Sequence, residues 1–88
     1  MKYHIDTDKA VWRNIDGEIV VLNLDSGHYY SLNKTGSVVW SILSESKPLQ
    51  EAIERIVEKY NIPHKSAEED VMSLLKMLQK EGLISSVQ

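Results

Sequence analysis

Three histidines, His4, His28 and His64, are the first residues to consider for metal binding or proton transfer. A helical zinc site needs two histidines four residues apart with a carboxylate beside them, and no pair here has that spacing. Asp25, Ser26 and His28 contain the residue types of a hydrolytic triad. A triad is defined by geometry, however, and residues this close on a hairpin point apart. Turn chemistry accounts for Asp25-Ser26-Gly27 without any catalytic role. Gly17, Gly27, Gly36 and Gly82 are scattered and form no phosphate-cradling loop. No nucleophile, base or ligand set is clustered, so the expectation is no enzyme, no metal and no cofactor.

Composition narrows the field further. The chain has 88 residues, 42% hydrophobic and 26% charged, which suits one soluble globular domain spanning 1–88 with its core at about 10–84. A domain this small leaves little chain for an enclosed active site. With no cysteine, thiolate chemistry and disulfides are absent, which suits the cytoplasm. The first eight residues contain no apolar signal segment. The longest aliphatic run, Ile19-Val20-Val21-Leu22, is far shorter than the roughly 20 residues of a membrane span. A net charge of −3 disfavours neutralisation of nucleic-acid phosphates.

The elements that must position any site follow from turn signals and periodicity. Val11–Ile15 and Glu18–Leu24 read as strands joined by Asp16-Gly17, a two-residue type I′ turn. His28–Leu32 reads as a third strand after a three-residue loop, Asp25-Ser26-Gly27. That register predicts a core face of Val11, Ile15, Val20, Leu22, Leu24, Tyr30 and Leu32, with Trp12, Ile19, Val21 and Tyr29 opposite. Asn33 caps a helix running to about Ser44, with Gly36, Val39, Trp40 and Leu43 on one stripe. A second helix opens at Pro48 and closes at Asn61 before Pro63. The third carries a capping box, Ser66 with Glu69, and runs to Glu81 before Gly82. Leu83 and Ile84 should pack back as a short extended tail. Strands followed by helices make the fold α+β: a winged-helix-like, three-stranded antiparallel sheet followed by three helices.

The last two helices could form a helix-turn-helix, which reads DNA with the N-terminal residues of its second helix. Those would be Ser66, Ala67, Glu68, Glu69 and Asp70, and the three carboxylates would repel phosphate. They suit the positive end of a helix dipole instead. No nucleic-acid or membrane partner is expected.

Two features exceed what a plain globular domain needs. The strand His28-Tyr29-Tyr30-Ser31-Leu32 is a sheet edge, and edges are normally blunted by lysine, proline or an inward charge. This one has none of these and suits the docking of an extended peptide. The second feature is the third helix, where Val71, Met72, Leu74, Leu75, Met77 and Leu78 cover an arc of roughly 220°, twice what a core stripe requires. The surplus lies either on the Met72–Leu75 flank or on the Leu74–Met77 flank. The second is favoured as the wall of a groove.

The run Leu22-Asn23-Leu24-Asp25-Ser26-Gly27, then Tyr29-Tyr30-Ser31-Leu32-Asn33, Thr35-Gly36 and Val39-Trp40, followed by Val71, Leu74-Leu75, Leu78 and Glu81-Gly82-Leu83-Ile84, resembles the PqqD-like family. Its members are precursor-peptide recognition elements of ribosomally made natural products. The likeness spans about Ala10 to Ile84 and is most specific from Ser26 to Trp40. It implies that the leader of a precursor peptide adds as a fourth antiparallel strand beside the third, against the third helix. The implied partners are that leader and a leader peptidase and cyclase, or another modifying enzyme. The Ser-Gly-His-Tyr-Tyr-Ser-Leu-Asn stretch and Trp40 look most like the lasso-peptide type. The alternatives are a chaperone of the pyrroloquinoline quinone type, serving a radical-SAM-modified precursor, and a dimeric or regulatory winged-helix module. The expected peptide-binding residues are His28, Tyr29, Tyr30, Ser31 and Leu32 on the strand, and Asp70, Leu74, Leu75, Met77 and Leu78 on the helix.

Overall fold

The computed structural model describes residues 2–87. Eight elements follow in order: β1 (Lys2–Ile5), β2 (Ala10–Ile15), β3 (Glu18–Asn23), β4 (Tyr29–Ser31), α1 (Lys34–Ser44), α2 (Leu49–Tyr60), α3 (His64–Lys80) and β5 (Ile84–Val87). β2, β3 and β4 form an antiparallel meander, and three helices follow it, as an α+β arrangement requires. The extended tail after Gly82 is present. It pairs antiparallel with β1, a strand too short to stand out in the sequence, and Ile5 lies opposite Ile84.

The first hairpin forms as the Asp16-Gly17 pair dictates. Both residues have positive φ, 53° and 87°, and Ile15 lies opposite Glu18. The second connection differs from the expected three-residue loop. The Asn23 N–H donates to the His28 carbonyl at 2.9 Å, and the Gly27 N–H donates to the Asn23 carbonyl at 2.8 Å. Leu24 to Gly27 therefore form a four-residue loop, which puts Leu22 opposite Tyr29 and Val21 opposite Tyr30.

The expected core face is also reversed on β2 and β3. Ala10, Ile19, Val21 and Asn23 are buried, whereas Val11, Ile15 and Leu24 are about half exposed, at 51%, 51% and 50%. The reason lies in Trp12, whose ring meets the fully buried Trp40 edge to face, centroids 5.4 Å apart. An aromatic pair buries more apolar area than the valine and isoleucine it displaces. Tyr30 and Leu32 still face inward as expected, because the extra loop residue compensates for the reversed face.

Asn33 caps α1, its Oδ1 accepting the Gly36 N–H at 2.8 Å. Pro48 stands one residue before α2, and Asn61 closes that helix in the left-handed conformation, φ 51°. The proposed capping box does not form. Pro63 flanks α3, the helix starts at His64, and Ser66 lies within its first turn. A proline's fixed φ suits a helix entry, so the start moves ahead of the Ser66 signal. Glu68, Glu69 and Asp70 consequently fall in the second turn, beyond most of the reach of the helix dipole.

Candidate functional site

The site is assembled from one sheet edge and one helix flank. Among the described residues, β4 pairs with β3 on one side only. The Leu32 N–H donates to the Ile19 carbonyl and the Asn23 N–H to the His28 carbonyl, so even-numbered β4 residues exchange bonds with β3. By the alternation of an antiparallel ladder, Tyr29 and Ser31 then turn their N–H and C=O groups away from the sheet. Four backbone groups are offered along this edge.

Beside the edge lies a groove of about 420 Å³. Ser31, Leu32 and Asn33 form one wall, with Thr35, Gly36 and Val39 from the start of α1. Asp70, Val71, Ser73, Leu74 and Met77 form the α3 wall, and Ile56 contributes from α2. Gly36 makes the close approach possible. A Cβ there would sit 3.2 Å from Asn33 Oδ1, 3.3 Å from Leu32 Cβ and 3.5 Å from Leu74 Cδ2.

A buried asparagine holds this hairpin in place. Asn23 is 3% exposed, and its Oδ1 accepts the backbone N–H groups of Asp25 and Ser26 at 2.9 and 3.2 Å. Its Nδ2 donates to the Glu81 carbonyl at 2.9 Å, tying the loop to the end of α3. The Tyr30 hydroxyl reaches the same residue, donating to Glu81 Oε2 at 2.9 Å. That hydrogen bond, with some desolvation and the carboxylate's charge, raises the Tyr30 pKa above its ordinary value. At the other end, buried Ser37 accepts the Ile19 N–H at 2.8 Å and donates to the Leu32 carbonyl at 3.3 Å.

The expected site residues therefore divide into three groups. Ser31, Leu32, Asp70, Leu74 and Met77 line the groove, and Leu74 and Met77 form the favoured flank. His28 and Tyr29 are exposed and do not line the groove; Tyr29, at 71%, stands with Val11, Ile15, Val20 and Leu22 on the outer face of the sheet, and Tyr30 is half-buried under the Glu81 bond. Leu75 and Leu78, both in the expected binding set, are core residues and do not line the groove; for Leu78 this agrees with its place at the centre of the apolar stripe. Both are 0% exposed, because they point from the centre of the α3 stripe into the core. Asn33, Thr35, Gly36 and Ser73 are groove residues absent from the expected set. Asn33 as a helix cap, and Thr35-Gly36 in the first turn that follows it, gave a sequence signal; Ser73 gave none.

The residues that could have suggested catalysis are dispersed. Asp25 pairs with Lys9 at 3.6 Å, and Ser26 Oγ accepts the His28 N–H at 3.2 Å, as a turn requires. No cluster of three metal-ligating side chains occurs among the described residues. No helix among them is long and apolar enough to cross a membrane.

Comparison with known proteins places this arrangement in a family. No curated protein matches. Two solved structures share the fold over almost the whole chain. One is TbiB1 in complex with the TbiA(beta) leader peptide, 33% identical, covering 100% of this chain and 99% of that one, with a TM-score of 0.85. The other is a lasso peptide synthetase B1 complexed with the leader peptide, 20% identical, covering 98% and 100%, with a TM-score of 0.84, a likeness of fold alone. The family model for coenzyme PQQ synthesis protein D (PqqD) matches residues 18–84, and the chain belongs to the PqqD family.

Proposed function

We propose that this protein binds the leader segment of a ribosomally made precursor peptide as a strand added to β4, and presents the attached core peptide to modifying enzymes. The observation that carries the reading is an unblunted sheet edge that opens onto a groove of mixed lining, with Leu32, Val39, Leu74 and Met77 beside polar side chains. The full-length likeness to TbiB1, solved with a leader peptide, supports leader binding, and the fold shared with a lasso peptide synthetase B1 agrees with lasso peptide biosynthesis as the setting. The partners would be a leader peptidase and a cyclase. On this reading the chain is itself no catalyst, works in the cytoplasm, and takes neither nucleic acid nor membrane as a partner. Its net charge of −3 agrees with that.

The energetics suit capture and release. Four edge hydrogen bonds contribute about 0.5–1.5 kcal/mol each. One or two apolar side chains buried against Leu32, Leu74 and Met77 add about 1.5–3 kcal/mol each. Ordering a flexible peptide costs about 2–5 kcal/mol or more. The balance corresponds to a Kd in the micromolar range.

Hydrogen exchange with and without a leader peptide tests the geometry. Binding should slow exchange at the Tyr29 and Ser31 amides, which face outward, and change Tyr30 little, since β3 already protects it. Protection along Ala10–Ile15, or in the helices alone, would place the peptide elsewhere and sink the proposal.

A further inference from the structure

We infer that Asp70 selects leaders that carry a basic side chain one strand repeat before their apolar anchor, which also sets the direction in which the peptide lies. The inference rests on the leader-binding reading. Among the groove-lining residues, Asp70 is the one ionisable group. It is exposed and has no salt bridge among the described residues. The polar groups around it, Ser31, Asn33, Thr35 and Ser73, are neutral. A carboxylate at the mouth of an otherwise uncharged groove is complementary to an ammonium or guanidinium group.

Two contacts give the alignment of the walls. Tyr30 bonds Glu81 at 2.9 Å, and Gly36 lies against Leu74, whose Cδ2 would be 3.5 Å from a Cβ there. The chain from β4 into α1 thus runs opposite to α3. A strand added antiparallel to β4 would run parallel to α3, with its N-terminal part beside Asp70 and its C-terminal part beside Glu81. The spacings are commensurate. Asp70 and Leu74 are about 6 Å apart along the helix axis, and alternate strand residues are about 6.8 Å apart. One groove-facing side chain would meet Asp70, and the next, two residues later, would meet Leu74 and Met77. At the far end Glu81 keeps its charge, but it accepts the Tyr30 hydroxyl and does not line the groove, so the carboxylate within the groove marks the N-terminal end.

Selection from random peptides tests this without the leader's own sequence. A random decapeptide display library is selected on the full chain, and in parallel on Asp70→Asn and Asp70→Lys, with melting temperatures recorded for all three proteins. The wild type should enrich lysine or arginine two residues before an aliphatic residue. Asp70→Asn should lose that basic preference and keep the aliphatic one, and Asp70→Lys should replace it with aspartate or glutamate. A synthetic peptide from the wild-type selection should bind Asp70→Asn about fivefold more weakly, with the difference shrinking in high salt. Aliphatic enrichment with no basic preference would overturn the role of Asp70 and leave the leader-binding reading intact. A basic residue enriched after the anchor would overturn the direction. If no peptide were enriched, the leader-binding reading would fail as well.

Discussion

The two faces of the three-stranded sheet are almost equally apolar, yet only one is covered. Inward lie Ala10, Trp12, Ile19, Val21, Tyr30 and Leu32. Outward lie Val11, Ile15, Val20, Leu22, Leu24 and Tyr29, of which Val11, Ile15, Leu24 and Tyr29 are half exposed or more. Antiparallel sheets with one solvated face usually alternate apolar with polar residues. Here the alternation is nearly absent, so side-chain polarity does not say which face turns in. The larger aromatic payload of Trp12 against Trp40 does.

Paired substitutions on the two faces sharpen this contrast most. Val21 is fully buried, and Val21→Glu should cost about 3–5 kcal/mol by leaving an unpaired charge in the core. Val11→Glu should cost less than about 1 kcal/mol, since Val11 is 51% exposed. Urea denaturation of both proteins decides it. Equal losses would mean that the outer face is also covered in solution.

The same inside–outside contrast runs along α3. Leu74→Glu should weaken leader binding by about 1–3 kcal/mol, roughly 5- to 150-fold, while the melting temperature changes little. Leu78→Glu should instead destabilise the fold severely, because Leu78 is 0% exposed. Calorimetric titration with a leader peptide, alongside thermal melts, separates the two. If Leu74→Glu keeps full affinity, this flank is no groove wall.

Neighbouring residues at the β3–β4 loop give a smaller difference. Asn23→Ala removes three hydrogen bonds from a buried amide and should cost about 1–2 kcal/mol. Leu24→Ala, at a half-exposed position, should be close to neutral. Asn23→Ala should also loosen the tie between the hairpin and Glu81, seen as faster exchange at the Asp25 and Ser26 amides.

The smallest effect concerns pH. The Glu81 hydrogen bond raises the Tyr30 pKa, so the folded protein keeps this proton to higher pH than the unfolded chain does. The bond's contribution is therefore present below about pH 10 and is lost as pH rises through the raised folded value. Between about pH 9 and about pH 11 the melting temperature of the wild type should fall slightly more than that of Tyr30→Phe. Identical pH profiles would show that the Glu81 bond carries no stability.

What could be read from the residues themselves was local. Asp16-Gly17 determined the first hairpin and its register, Asn33 the start of α1, and Asn61 and Gly82 the ends of α2 and α3. Each is a backbone conformation or cap that one or two side chains dictate without help from distant contacts. The missing blunting groups on His28–Leu32 and the surplus apolar arc of the third helix were also legible, and they pointed to the edge and flank that border the groove. Three things needed the tertiary structure. The sheet's inner face waited on Trp12 finding Trp40, a contact 28 residues away in the chain. The β3–β4 loop length depended on Asn23, whose amide is satisfied by its own loop together with the carbonyl of Glu81. The separation of groove from core on α3, Leu74 and Met77 outward and Leu75 and Leu78 inward, was decided by where α1 lies. Gly36 lets α1 come within contact of Leu74. Helical periodicity gives the width of an apolar stripe, but only the packed neighbours determine which part of it is covered.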